Sequence, residues 1–206
     1  MIKKAEFIKS VGNISQIITH YPKEIAVAGK SNVGKSSFIN FICKKNKLAK
    51  TSKEPGRTRL LNYFSINDGE FYLVDLPGYG YAKVSDEEKL KWGKLIEAYL
   101  QNSTGLKNVF MLVDIRHDPT ADDMQMFKYL YFYNIPFTII ATKADKLSRS
   151  ACMKRKREIA AYIGVGNENV YVVSSQNKQG ADAIYERILQ VITEQTLPEE
   201  TETEEE

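Results

Sequence analysis

Apolar positions along the chain follow two alternating rhythms. Short runs rich in β-branched and aromatic residues occur at 24–29 (EIAVAG), 61–66 (LNYFSI), 70–75 (EFYLVD), 109–115 (VFMLVDI), 136–141 (PFTIIA) and 169–175 (NVYVVSS). Their length and composition predict strands. Between them lie stretches with helical character at 35–46, where Phe38, Ile39, Phe41 and Ile42 form the apolar side, and at 85–101, 120–133, 148–163 and 180–194. Asn67-Asp68-Gly69 between the second and third runs is a hairpin signal. Ser85 is placed to cap the second helix, with Glu88 completing a capping box. The alternation predicts an α/β fold, a layered sheet with helices on both faces. Residues 1–22 carry some β-like character and predict an N-terminal arm or an extra strand.

Bulk properties narrow the class. A chain of 206 residues, 43% hydrophobic and 27% charged, suits one α/β domain with a short appendage. No apolar run approaches the roughly 20 residues needed to span a bilayer. The opening MIKKAEFIKS lacks the apolar core and cleavage site of a signal peptide, so a cytoplasmic location is expected. Cys43 and Cys152 lie far apart, and His20 and His117 are the two imidazoles. That spacing argues against zinc and for reduced, structural thiols. The formal charge of +3 includes six glutamates after Pro198, so the body is more basic than the total suggests. Such a body could favour a polyanion, while residues 197–206 read as a disordered acidic tail.

Chemistry enters after the first strand. GKSNVGKS, Gly29 to Ser36, fits Gly, four residues, Gly-Lys-Ser at a strand–turn–helix junction. Glycines there let backbone N–H groups surround phosphates, and the helix N-terminus adds partial positive charge. Lys35 would neutralise the β- and γ-phosphates, and the Ser36 hydroxyl would ligate magnesium. DLPG, Asp75 to Gly78, closes another strand, where a carboxylate can reach magnesium and a glycine amide can sense the γ-phosphate. Many nucleotide switches place a water-orienting glutamine next; here that residue is Tyr79. TKAD, Thr142 to Asp145, lies at the end of the 136–141 run. Its aspartate can accept both the ring N–H and the exocyclic amine of guanine, a pattern adenine does not offer, and the Lys143 stem can pack along the base. Thr142 stands where this motif usually has Asn. Ser174-Ser175-Gln176 is placed to finish the base pocket. In the polar loop 48–62, Thr58 is the candidate to close over magnesium.

Taken together, GKSNVGKS, PGRTR, DLPGYGYA, TKAD and SSQ resemble the translation-factor-like GTPases, and more narrowly the EngB/YihA/YsxC family of ribosome-biogenesis GTPases, over about residues 5–196. The resemblance implies a Ras-like P-loop GTPase domain over 23–196, a mixed sheet of about six strands with one of them antiparallel. It implies GTP or GDP contacts from Gly29, Lys30, Ser31, Asn32, Val33, Gly34, Lys35, Ser36 and Ser37. Further contacts would come from Gly56, Arg57, Thr58, Arg59 and Leu60, from Asp75, Leu76, Pro77 and Gly78, from Thr142, Lys143, Ala144 and Asp145, and from Ser174, Ser175 and Gln176. Ser36, Thr58 and Asp75 would hold magnesium. Lys35 is the expected catalytic group, assisted by Asn32, which occupies the position where related potassium-activated GTPases hold a monovalent cation.

The implied role is GTP-controlled binding to the precursor of the large ribosomal subunit, its rRNA and proteins, by a monomer without stable membrane association. The family also carries a label of cell division and septation. Lysines and arginines at 44, 45, 47, 50, 53, 57 and 59 and at 154–157 are candidate RNA contacts, with solvated helix faces as the alternative. Tyr79, Tyr81 and Trp92 are candidates for base stacking, with core or nucleotide-gating roles equally open. Two competing classes are a GTPase of septum or membrane assembly and a P-loop kinase or ATPase.

Overall fold

In the computed structural model, residues 2–49, 60–80 and 85–194 are described. Strands β1 (Ala5–Val11), β2 (Glu24–Gly29), β3 (Leu61–Ile66), β4 (Phe71–Asp75), β5 (Leu106–Asp114), β6 (Phe137–Thr142) and β7 (Val170–Val172) form one sheet in the order β1-β3-β4-β2-β5-β6-β7. β3 is antiparallel to both neighbours, and β2, β4, β5, β6 and β7 run parallel. The helices are α1 (Lys35–Ile42), α2 (Asp86–Asn102), α3 (Ala121–Phe132), α4 (Arg149–Ile163) and α5 (Ala181–Thr193).

Every residue of β2 is buried, because both faces of the sheet are covered. Ala26 and Ala28 face the core closed by Leu95 and Tyr99 of α2, Phe127 and Leu130 of α3, and Ile159 and Ile163 of α4. Ile25 and Val27 face Phe38, Ile39 and Ile42 of α1 and Ile184, Ile188 and Val191 of α5. Two-sided burial explains why β2 and β5 read as continuous apolar runs rather than alternating ones. Both cysteines are buried and free, and burial pushes the Cys43 thiol up to about 12.

Several boundaries differ from the pattern. The sheet has seven strands instead of about six, because Ala5–Val11 pairs with the free edge of β3. Helix α1 stops at Ile42 and not at residue 46: Lys44 is left-handed (φ 52°), and the Asn40 side chain clasps Ala49 through its N–H and carbonyl at 2.8 and 2.9 Å. β5 begins earlier, at Leu106. β7 ends at Val172, since the chain turns back and Ser174 N–H donates to the Gln179 carbonyl. The turn at Asn67 and Asp68 is left-handed at both residues, and Ser85 accepts from Glu88 N–H at 3.3 Å. The candidate site residues within the described segments all follow the C-terminal ends of β2, β4, β6 and β7 or border β3, the edge where open α/β sheets bind ligands.

At the opposite edge, Glu24 is buried and its Oε2 accepts from the hydroxyls of Tyr99 (2.6 Å) and Ser103 (2.9 Å). Its Oε1 and the Tyr63 hydroxyl are buried with no hydrogen-bond partner among the described residues. Burial raises the carboxyl above its ordinary 4.5 against the pull of those two hydroxyls. The fold therefore holds this proton more tightly than the unfolded chain does, and stability falls as pH rises from the ordinary carboxylate range through the raised value. Glu24→Gln keeps the acceptor, adds a donor beside Tyr63 and removes the charge. It is expected to stabilise the protein at pH 7.5 by about 1 kcal/mol, roughly 2–4 °C, and to flatten that pH dependence. Thermal unfolding across pH checks this; a loss of stability at pH 7.5 would contradict it.

Candidate functional site: a phosphate loop between two clasps

The loop after β2 is shaped by its backbone. Gly29 has φ 152°, and a Cβ there would lie 2.8 Å from the Leu112 carbonyl oxygen of β5, so a side chain would strain the turn that starts the loop. Lys35 opens α1, is buried and donates to the Gly29 carbonyl at 3.3 Å. Burial lowers its pKa, with Asp75 opposing. Asp75 ends β4 and is buried; desolvation raises its carboxyl to about 6, with Lys35 and Asn62 opposing. Its Oδ1 has no hydrogen-bond partner among the described residues. A buried cation and a buried carboxylate, each penalised for its charge, suit the arrival of an anion on one and a cation on the other. Ser36 is the second residue of α1, directly after Lys35, and half-buried.

The orphaned Asp75 Oδ1 meets the requirement of a hard, oxygen-binding cation such as magnesium. Among the described residues no group of three His, Cys, Asp or Glu could hold a metal ion. Gly56, Arg57, Thr58 and Arg59 lie outside the described residues, as do Lys50, Lys53, Tyr81 and the acidic tail 197–206. Leu60, at the border, is exposed.

One clasp closes on the loop from β4. Lys30 and Tyr79 form a parallel bridge, in which Ser31 N–H donates to the Tyr79 carbonyl at 2.9 Å. The Ser31 hydroxyl donates to the Gly78 carbonyl at 3.3 Å. A Cβ on Gly78 would come within 2.8 Å of Lys35 Nζ, so this glycine permits close approach to the ammonium. Leu76 and Pro77 are buried behind it. Tyr79 itself turns away: its hydroxyl donates to Asp123 Oδ1 at 2.8 Å. Asp123 Oδ2 accepts from the Thr120 N–H and hydroxyl, completing the capping box of α3. Burial and the Asp123 charge push the Tyr79 phenol well above 10. Tyr79 and Trp92 line a groove of about 460 Å³ with Leu90, Met126 and Tyr129.

The other clasp comes from β6. Thr142, the last residue of that strand, has its hydroxyl 2.8 Å from the Val33 carbonyl and 3.1 Å from the Val113 carbonyl. Short as it is, the threonine ties the base loop to the phosphate loop. Lys143 is left-handed (φ 63°), and its ammonium donates to the Asn32 carbonyl at 2.9 Å. Asn32 is exposed and left-handed as well (φ 65°). Ala144 is buried, and its N–H donates to the Val173 carbonyl. Asp145 Oδ1 accepts from the Ser174 hydroxyl at 2.6 Å, which lowers the carboxyl below its ordinary value; Lys146 assists at 3.0 Å. Ser174 Oγ in turn accepts from the Gln176 and Asn177 N–H groups. A cavity of about 410 Å³ brings Gly34, Ser37, Thr142, Lys143, Asp145, Ser175 and Gln176 together. It is also lined by Phe41, read from the sequence as part of the apolar side of α1, and by Lys45, read as a candidate RNA contact; neither was expected at the base pocket, because both lie outside the loop pattern.

Asp114, at the end of β5, was missed too. A carboxylate at the tip of a central parallel strand is the signal that could have found it. Of the basic run on α4, Arg155 is committed internally, to the Ile115 carbonyl (3.0 Å), Asp118 (2.8 Å) and Glu158 (2.6 Å).

Comparisons with known proteins give the family and the fold. A family model described as "50S ribosome-binding GTPase" matches residues 24–143. The chain is 50% identical over 189 residues to a probable GTP-binding protein EngB of Mycoplasma mycoides, covering 91% of this chain and 96% of the relative. A solved structure of a probable GTP-binding protein engB superposes with a TM-score of 0.68 at 19% identity, over 84% of this chain and 99% of that one. Era, solved in complex with MgGDPNP and nucleotides 1506–1542 of 16S ribosomal RNA, superposes at 0.65 and 20% identity, over 85% of this chain and 58% of that one. The chain belongs to the EngB family of GTP-binding proteins and is a GTPase with a Ras-like fold.

Proposed function

We propose that this GTPase is a magnesium-dependent switch that binds the precursor of the large ribosomal subunit in its GTP state, with slow hydrolysis until the particle is engaged. The observation that carries the reading is the continuity of one backbone segment. Gly78 lies where an added Cβ would come within 2.8 Å of the Lys35 ammonium, and the next residue bonds the loop after β2 through its carbonyl and α3 through its hydroxyl. A change at the γ-phosphate position is thereby tied to the surface of α2 and α3. The family description, a 50S ribosome-binding GTPase, supports the large-subunit particle as partner. Failed subunit assembly would account for a division phenotype. Among the described residues no helix is long and apolar enough to cross a membrane, which gives the septum-membrane alternative no anchor of that kind.

Phosphoryl transfer needs positioning and neutralised charge more than covalent chemistry. Lys35 would hold the β- and γ-phosphates, and Ser36, Asp75 and Thr58 would hold magnesium. Magnesium would supply charge neutralisation on the transferred oxygens. The Gly78 amide would report the γ-phosphate. Tyr79 is committed to Asp123, so no side chain at that position orients water, and slow basal turnover follows. Asn32, exposed on the loop, is the group that a potassium ion would use to add positive charge.

Co-sedimentation with purified ribosomal particles tests the partner: retention on large-subunit particles with a non-hydrolysable GTP analogue and release with GDP is expected. Equal retention in both nucleotides would contradict the switch. Turnover by the isolated protein should be slow, higher in potassium than in sodium, and stimulated by the particle. Equal rates in the two salts would remove the cation. Tyr79→Phe should lower stability by about 1–2 kcal/mol through loss of a charge-assisted hydrogen bond, while basal turnover stays within about threefold, under 1 kcal/mol of barrier. A large fall in turnover at unchanged melting temperature would make Tyr79 catalytic.

A further inference from the structure

The end of β5 carries a charge network that the phosphate and magnesium chemistry does not use. Asp114 Oδ1 accepts from the Arg116 N–H (3.1 Å) and Nε (2.9 Å). Its Oδ2 lies 2.7 Å from an Arg116 guanidinium nitrogen and 2.9 Å from Lys143 Nζ. Burial works against the charge on Asp114, yet Arg116 and Lys143 together hold the carboxyl well below the usual range. The segment that presents it is braced: Ile115 N–H donates to the Thr142 carbonyl, His117 N–H to the Asp114 carbonyl, and Arg155 holds the Ile115 carbonyl.

Lys143 is the residue this network reaches. Its ammonium spans from Asp114 to the Asn32 carbonyl. Its backbone is the left-handed entry to the short 3-10 turn Ala144–Lys146 that carries Asp145. A long, rotatable side chain pays entropy to stay in one place, and a single carbonyl acceptor is a weak hold on a solvated ammonium. A carboxylate fixed by a planar guanidinium is a stronger one.

We infer that Asp114, itself oriented by Arg116, is a positioning residue for guanine-nucleotide binding, holding Lys143 so that the base loop and the phosphate loop keep one relative geometry. The inference rests on TKAD being the base site. Asp114 acts through Lys143 and does not touch the nucleotide. Losing it frees the ammonium, loosens the link to Asn32 and lets bound nucleotide escape faster.

The experiment is a double-mutant cycle on dissociation of a fluorescent GDP from the full chain, with thermal unfolding recorded for each variant. Asp114→Asn puts an amide donor against donors and should speed dissociation about tenfold, the loss of one charge-assisted hydrogen bond. Lys143→Met should speed it at least as much, and the double variant should be no faster than Lys143→Met alone. Arg116→Met, at an exposed position, should give a smaller rise and serves if Asp114→Asn does not fold. Additive effects would show that Asp114 acts only on general stability and would overturn the inference. So would an unchanged rate in both Asp114→Asn and Arg116→Met while Lys143→Met dissociates fast. An unchanged rate in Lys143→Met would overturn the inference, whereas failure of the native chain to retain the fluorescent GDP would overturn the base-site reading itself.

Discussion

The backbone of the phosphate loop is held by its neighbours, and the rest of the site depends on how. The carbonyls of Gly29, Asn32 and Val33 are taken by Lys35, Lys143 and Thr142, and the Ser31 amide by the Tyr79 carbonyl. Buried backbone polar groups must be paired, and here the pairing is shared among β4, β6 and the loop itself. The loop is thus the common wall of the candidate phosphate site, the candidate base site and the segment that follows β4. Thr142 illustrates the economy: a hydroxyl reaches the Val33 carbonyl where the motif usually has a longer amide.

Electrostatics follows from the same enclosure. Lys35 and Asp75 sit where charge is expensive, and each is displaced toward its neutral form by burial. A site of that kind does not hold an ion pair for stability; it discriminates in favour of ligands that bring both signs of charge. A nucleoside triphosphate with a divalent cation does so. Asp145, by contrast, stays ionised, because the Ser174 hydroxyl and Lys146 bond it directly. The phosphate end is tuned by desolvation and the base end by hydrogen bonding.

Much of this was legible in the sequence because the relevant signals are local. The glycine loop, DLPG, TKAD and SSQ each sit at the tip of a strand whose apolar run announces it. What escaped depends on contacts between distant residues. Tyr79 pairs with Asp123 and Asp114 with Lys143, and neither pairing is marked by periodicity or by a motif. Helix α1 ends early because Asn40 clasps Ala49, a competition between side chain and helix that propensity does not register. The missing glutamine posed a question about catalysis; the fold places a tether there, since Tyr79 joins the loop after β2 to α3.

Guanine selection, under the proposed function, falls to the Asp145 carboxylate on the loop that Thr142, Lys143 and Ser174 hold in place. Competitive binding of GDP and XDP to the native chain and to Asp145→Asn tests it most directly. Xanthine replaces the exocyclic amine with a carbonyl, which an asparagine amide can satisfy and a carboxylate cannot. The native chain is expected to take GDP and reject XDP, and Asp145→Asn to reverse the order. Retention of GDP preference by the variant would contradict it.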